Sequence, residues 1–474
     1  MEKQGIRGPP YKFLHGNNKE VELMMREAIA KPMDLSHDTF SKVQPYIYTW
    51  TKIYGDTFLS WVGPKPQLFI REPELIKEIL NNKSWDYRKP DRNPIIEKLL
   101  GDGLASTNIQ KKWAFHRKMA NKAFNAECLK DMFSEMVKST EEMLGRWRES
   151  DGREIEISSE LRVLTQDIIS RTAFGSNYLE GQELFNLFSK MAILVSSNVR
   201  KITFPGSGFF QSRDEVEAKI LDTEIMRLMM KMIDSRKEKA NNGESVGYGN
   251  DFFGMLLKSG HEIEDEAKLS LQDILDECKT FYFAGHETTF GLISWIIILL
   301  AMYPEWQDRA RKEVTEVFGS SIPTMDGIGR LKIVNMIINE TLRLYPSVTV
   351  LSRQLKKEVR LGKLTIPSGT EVVVPALALH YDSQQWGKDV HLFKPERFSQ
   401  GITNAAKSPI AFLPFGFGPR MCVGLNFAIL ESKLAVSMIL QRYSLLLSPS
   451  YHHAPVLMVT TRPQHGAPII INPL

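Results

Sequence analysis

Cysteine is scarce in this chain: 474 residues carry only Cys128, Cys278 and Cys422, with no C-x-x-C pair. Such spacing supplies neither a disulfide framework nor a structural zinc site, and it fits reducing surroundings. Charge of one sign is also lacking. Sixty basic residues stand against 56 acidic ones, a net +4, too mild to argue for a nucleic-acid partner. No apolar run approaches the ~18 to 20 residues that span a bilayer; the longest, 295–302, sits mid-chain. Internal repeats, a long low-complexity tract and a signal peptide are absent too. What is present is ordinary for a soluble globular protein, with 43% hydrophobic and 24% charged residues and length enough for a large core.

The best β signal comes early. Residues 57–62 and 67–70 are short β-rich runs around Gly63-Pro64-Lys65-Pro66, a hairpin pattern. A helix is predicted over 73–81, with proline near its start. A second strand pair is predicted from 364–366 and 371–375, joined by Pro367-Ser368-Gly369-Thr370. Most of the rest has helical period: 128–148, 158–174, 216–239, 269–302 and 303–318. Residues 237–248 are polar and read as a mobile loop. Nothing demands a domain boundary, so the expectation is one mainly α unit over 1–474 with a small β region.

Residues 415–424 read Phe-Gly-Phe-Gly-Pro-Arg-Met-Cys-Val-Gly, directly before an apolar helical pattern at 425–440. The glycines let backbone approach a flat ligand, since no Cβ intervenes. Amides after Cys422 belong to a helix N-terminus, where unpartnered N–H groups and the dipole favour negative charge. Both effects are expected to stabilise a thiolate over a thiol. The competing reading is a small buried hydrophobe, the commoner fate of a lone cysteine. A thiolate accepting backbone hydrogen bonds, in a loop able to lie flat on a macrocycle, suits an axial ligand of haem iron.

The pattern Phe415-x-x-Gly418-x-Arg420-x-Cys422-x-Gly424 resembles the haem-binding loop of cytochromes P450 at every fixed position. Three further motifs extend the resemblance over nearly the whole chain. Ala284-Gly285-His286-Glu287-Thr288-Thr289 matches the family's distal-helix pattern; taken alone, it reads as a core helix whose Thr288 back-bonds to Ala284. Glu340-x-x-Arg343, 79 residues before Cys422, with Arg397 in Pro395-Glu396-Arg397-Phe398, resembles the family's structural triad. Trp113-x-x-x-Arg117 resembles the helix that crosses the haem edge, and otherwise suits any amphipathic helix.

The resemblance implies the cytochrome P450 fold, with haem b between a long distal helix and the Cys422 loop. It implies a monooxygenase that inserts one atom of O2 into a C–H bond of an apolar small molecule. Electrons would come from NADPH through NADPH-cytochrome P450 reductase. By position, Cys422 is the metal ligand. Trp113, Arg117, Ala284, Arg353, Phe415, Arg420 and Gly424 bind the cofactor, Thr288 and Glu287 deliver protons, and Glu340, Arg343 and Arg397 are structural. His286 occupies the variable position and is read as structural. Lys111, Lys118 and Lys122, with Lys112 and Lys130 nearby, form either a solvated face or the family's docking surface for an acidic reductase.

The family's pocket regions map onto 91–107, Phe283, Ala284, Phe290, 347–352 and 457–460, which are mostly apolar. Gly-Ile-Arg-Gly-Pro-Pro-Tyr near the start, Asp273-Ile-Leu-Asp-Glu-Cys-Lys before the distal helix, His453-Ala-Pro and Pro463-Gln-His-Gly-Ala-Pro look plant-like. They resemble the clan of brassinosteroid-inactivating hydroxylases, secologanin synthase and triterpenoid oxidases, which implies a steroid or terpenoid substrate. Residues 1–15 resemble the hinge that follows the membrane anchor of microsomal members, so a location on the cytosolic face of the endoplasmic reticulum membrane is expected, with the anchor missing from this chain. The alternatives are a haem-thiolate isomerase or dehydratase, disfavoured by Glu287 and Thr288, and a non-catalytic haem sensor.

Overall fold

The computed structural model describes residues 1–91, 93–198, 212–243, 247–261 and 269–474. Its frame is the helix Leu271–Met302. Ser270 starts this helix with a capping box: its hydroxyl accepts from the Asp273 N–H, and the Asp273 carboxylate accepts from the Ser270 N–H. Of its 32 residues, 25 are buried. By length and composition it is apolar enough to cross a membrane. A helix that is apolar all round is equally the core of a large protein, and here other helices cover it. Helices Ile157–Phe174, Leu425–Leu440 and Ile333–Leu344 all pack on it, the first most extensively. Gly285 sits at that crossing, where a Cβ would lie 2.6 Å from Ile169 Cδ1. A glycine that weakens a helix by about 1 kcal/mol therefore lets two helices approach.

The predicted helices are present as Pro73–Asn81, Ala126–Trp147, Ile157–Phe174, Arg213–Asn241, Leu271–Met302 and Pro304–Phe318. Two expectations need correction. The polar stretch 237–248 is not all loop, because the helix continues to Asn241; residues 244–246 lie outside the described residues. Strands Leu364–Ile366 and Glu371–Val374 do not pair with each other. The first pairs with Val359–Leu361 in a local hairpin. The second runs parallel to Lys65–Ile70 and antiparallel to Leu351–Leu355 inside a five-stranded sheet. Local turn chemistry at 367–370 marks the bend, and long-range pairing decides the partner. The early hairpin forms with Val62 opposite Lys65, so its turn is Gly63-Pro64.

Glu340 and Arg343 are fully buried on helix Ile333–Leu344. Their fork-to-fork pair has both N···O distances at 2.7 Å. The Arg397 guanidinium lies 3.4 Å from the same carboxylate. Arg343 also donates to the carbonyls of His380, Val390 and Leu392. A buried charge pair is tolerable when its remaining donors and acceptors are satisfied, and here they knit helix Ile333–Leu344 to the segment 380–397.

A second polar cluster lies at the C-terminal end of the long helix. His37 sits between two phenols, with Nδ1 2.7 Å from the Tyr345 hydroxyl and Nε2 2.7 Å from that of Tyr303. His453 bonds Tyr451 at 2.9 Å and Tyr345 at 3.3 Å. Burial, assisted by His453 and the Arg343 charge, lowers His37 to about 3. Burial lowers His453 to about 4. Both are therefore neutral in the fold. Their folded values lie below the ordinary 6.5, so the unfolded chain binds protons first as pH falls. Stability present above pH 6.5 should decline towards pH 4, by up to about 2 kcal/mol per histidine at pH 5. Urea unfolding at pH 7 and pH 5 checks this, with a His37→Gln variant expected to flatten the profile.

Candidate active site

The long helix has one break in its burial. Ala284 is exposed and Thr288 partly so, one turn apart on one face, while Phe283, His286, Glu287 and Thr289 around them are buried. An exposed alanine in the middle of a mostly buried helix marks a gap in its cover. Thr288 donates its hydroxyl to the Ala284 carbonyl at 2.8 Å, and Thr289 donates to that of Gly285 at 2.9 Å. Two successive back-bonds divert two carbonyls of the same turn.

Cys422 is likewise exposed, although protein surrounds it. Its loop is shaped by two left-handed glycines, Gly416 and Gly418, both at φ +73. The Cys422 N–H donates to the Phe415 carbonyl at 2.9 Å, closing the turn. Burial pushes the thiol up, against the Gly424 N–H and the Arg117 charge. The helix terminus and cation act in the direction expected from the sequence, but dehydration outweighs them in the free thiol, a correction to the thiolate reading.

Cationic side chains stand on and near the Cys422 loop. Arg117, on helix Gln110–Ala123, donates to the Met421 carbonyl at 2.5 Å. Arg420 donates to the Thr107 carbonyl at 2.9 Å and stacks over Trp85 and Trp113, 4.8 and 5.1 Å from their ring centroids. Trp85 is itself held at φ 60, a rare conformation for so bulky a residue. Arg353 is 6% exposed, and its guanidinium donates to the neighbouring Ser352 carbonyl at 2.9 Å. Burial alone lowers it to about 10, so it stays charged at neutral pH without a carboxylate partner among the described residues. A buried cation of this kind calls for an anion. A flat macrocycle with acidic edge groups fits the glycine turn, the open notch and these cations together.

Glu287 is buried, and its carboxylate turns to other elements. Arg162 binds one oxygen at 2.8 Å; Thr460 and Arg462 approach the other at 3.2 and 3.6 Å. No hydrogen bond joins it to Thr288 among the described residues. Arg162 lies inside a helix with no local signal, so the sequence did not reveal this clamp. Glu431 was legible as an acid within an apolar helix. It is fully buried, burial raises it well above the carboxylate range, and Thr289 is the side chain that opposes the rise. His116 and Glu277 form a buried pair linking helix Gln110–Ala123 to the long helix. Lys112 was grouped with the exposed lysines; it bridges Asp102 and Asp273 instead, at 2.9 and 2.7 Å. Lys111, Lys118, Lys122 and Lys130 are exposed. The expected pocket segment 91–107 includes Arg92, outside the described residues.

A mostly helical frame with a cysteine turn, an open helix notch and convergent cations defines a haem enzyme as its class. The comparisons make the family explicit. The model of the family described as cytochrome P450 matches residues 37–465. Cytochrome P450 CYP749A22 of Panax ginseng is 49% identical, with all of this chain and 91% of that protein covered. Cytochrome P450 734A1 of Arabidopsis thaliana is 42% identical, again covering the whole chain and 91% of the relative. Cytochrome P450 72A397 of Kalopanax septemlobus is 43% identical over the whole chain and 92% of its own length. The chain belongs to the cytochrome P450 family, whose members are monooxygenases and hold haem b as cofactor.

The two left-handed glycines are separable by experiment. A Cβ on Gly418 would sit 2.3 Å from the Leu80 carbonyl oxygen, whereas one on Gly416 would meet nothing nearer than 3.9 Å. Gly416→Ala should lose only the conformational preference, about 1–2 kcal/mol. Gly418→Ala should lose more, because backbone must move. Urea unfolding of the two variants gives that order.

Proposed function

We propose that this protein is a haem-thiolate monooxygenase acting on an apolar steroid or terpenoid. The observations that carry the reading are an exposed Cys422 on a glycine turn and a mid-helix notch at Ala284 and Thr288, on elements whose helices pack together. When bound, haem b supplies an iron that ionises a coordinating thiol and activates dioxygen.

Each residue then has a part. Cys422 would hold the haem iron through its sulfur, with the Gly424 N–H and Arg117 favouring charge there. Arg353, Arg420, Arg117 and Trp113 hold the acidic edge of the macrocycle. Ala284, Phe415 and Gly424 line its faces. Thr288 Oγ1 keeps a hydroxyl at the notch, with lone pairs free beyond its bond to Ala284. Glu287 moves protons to it after releasing Arg162, so Arg162 sets how often the acid is available. Glu340, Arg343 and Arg397 keep the proximal side rigid. Residues 1–474 work as one catalytic unit.

Pocket chemistry supports an apolar substrate. Phe283 and Phe290 are buried on the long helix, and Val350, Leu351, Leu457 and Val459 are partly buried. We assign the electron donor as NADPH-cytochrome P450 reductase, docking on Lys111, Lys118, Lys122 and Lys130. The setting is the cytosolic face of the endoplasmic reticulum membrane.

Reconstitution with that reductase and a steroid and terpenoid panel tests the reading. Substrate-dependent NADPH consumption with label from dioxygen in the product is expected. Conversion without NADPH, or no turnover of any apolar compound, contradicts it. Thr288→Ala should keep haem and NADPH use while product per NADPH falls by ~100-fold, the scale of a lost proton relay; unchanged coupling would assign the relay elsewhere. Arg353→Met should weaken haem binding by roughly 10-fold in titration of the apoprotein, the loss of one charge-assisted bond.

A further inference from the structure

Trp295, Tyr345, His37 and Tyr303 take no part in the oxygen chemistry above, yet they form a continuous line away from the notch. Trp295 follows Thr288 by seven residues on the same helix, close to two full turns, so it shares the Thr288 face about 10 Å along the axis. Hydrogen bonds connect the two positions as well. The Ser347 hydroxyl donates to the Thr288 carbonyl at 3.0 Å, and the Thr461 N–H to the Ser347 carbonyl at 3.2 Å. The Trp295 indole N–H donates to the Thr461 carbonyl at 3.3 Å. Its ring stacks on Tyr345 at 4.0 Å and 14°. Both rings are buried, at 0% and 1% exposure. Tyr345 reaches Tyr303 through the single imidazole of His37, and Tyr303 is partly exposed at the helix end.

We infer that this line is an escape path for oxidising equivalents, which it carries from the haem pocket to Tyr303 when no substrate consumes them. The inference rests on the monooxygenase reading. Indole and phenol are the side chains most readily oxidised by one electron, and a phenol sheds its proton as it is oxidised. The oxidant is the haem after reaction with dioxygen or a peroxide. One electron leaves the Trp295 ring, whose N–H stays bonded to the Thr461 carbonyl. Tyr345 refills it with one electron; its O–H bond breaks and an N–H bond forms at His37 Nδ1. The outcome is a neutral Tyr345 radical, a protonated His37 and a haem reduced by one electron. His37 is a weak base in this site, and an oxidised phenol is a stronger acid still. Tyr303, on the other ring nitrogen, is where a soluble reductant of the ascorbate class restores the line.

The test uses the full haem-loaded chain in its ferric form, mixed with hydrogen peroxide without substrate, frozen at intervals and read by electron paramagnetic resonance. A tyrosyl signal is expected in the parent protein and its loss in Tyr345→Phe. Trp295→Phe keeps the stacked ring and the packing, so a purely structural role would leave the signal unchanged; its loss is expected, with faster bleaching of the haem band. When ascorbate is added after the peroxide, the parent signal should decay and Tyr303→Phe should prolong it, because the reductant no longer reaches the line. No tyrosyl signal in the parent, or equal signals in the parent and in Tyr345→Phe and Trp295→Phe, overturns the proposal. The carbon monoxide spectrum of each reduced sample checks the haem site separately, so failure of the line and failure of the monooxygenase reading are distinguishable.

Discussion

Everything in this structure turns on the burial of one helix and the single place where that burial stops. Leu271–Met302 is apolar on nearly every side, and Ile157–Phe174, Leu425–Leu440 and Ile333–Leu344 are among the helices that cover it. Such a helix has no solvent face to place at the surface, so the core is built round it. Its opening at Ala284 and Thr288 is then the one stretch of mid-helix surface left for a ligand. Gly285 sharpens the geometry, since it lets Ile157–Phe174 close in beside the opening. The glycine turn carrying Cys422 precedes the helix Leu425–Leu440, which packs on the same frame.

Electrostatics supports that picture through what is unpaired and what is not. The Glu340–Arg343–Arg397 cluster is buried, with the Glu340–Arg343 pair fully hydrogen-bonded and Arg397 beside the same carboxylate, so it works as a fixed joint. Arg353 is buried with no carboxylate partner among the described residues, which suits an anionic group beside it. The Cys422 thiol is held between two influences, dehydration raising its proton affinity and the Gly424 N–H and Arg117 lowering it. In the proposed ligation, metal coordination would resolve that balance in favour of the thiolate. The protein thus prepares a site that is complete only with its cofactor.

Much of this was legible in the sequence because it is local. The cysteine decapeptide, the Ala284–Thr289 segment, Glu340-x-x-Arg343 and the helix boundaries depend on residues a few positions apart. What the sequence hid is non-local. The partner of Glu371–Val374 is set by pairing across some 300 positions. Arg162 meets Glu287 across 125 positions. His37 reaches Tyr345 across 308. Desolvation of Cys422 depends on the packing of several elements and leaves no mark on the loop itself. Lys112 reads like its exposed neighbours until Asp102 and Asp273 fold onto it.

The central claim is that Cys422 ligates a haem through its thiolate. Its most direct measurement is the carbon monoxide difference spectrum of the dithionite-reduced protein, taken beside Cys422→Ala. A strongly red-shifted Soret band in the parent, absent from the variant, is the result this account predicts. A band at the shorter wavelength typical of histidine or protonated-thiol ligation, or a spectrum unchanged by the substitution, would contradict it.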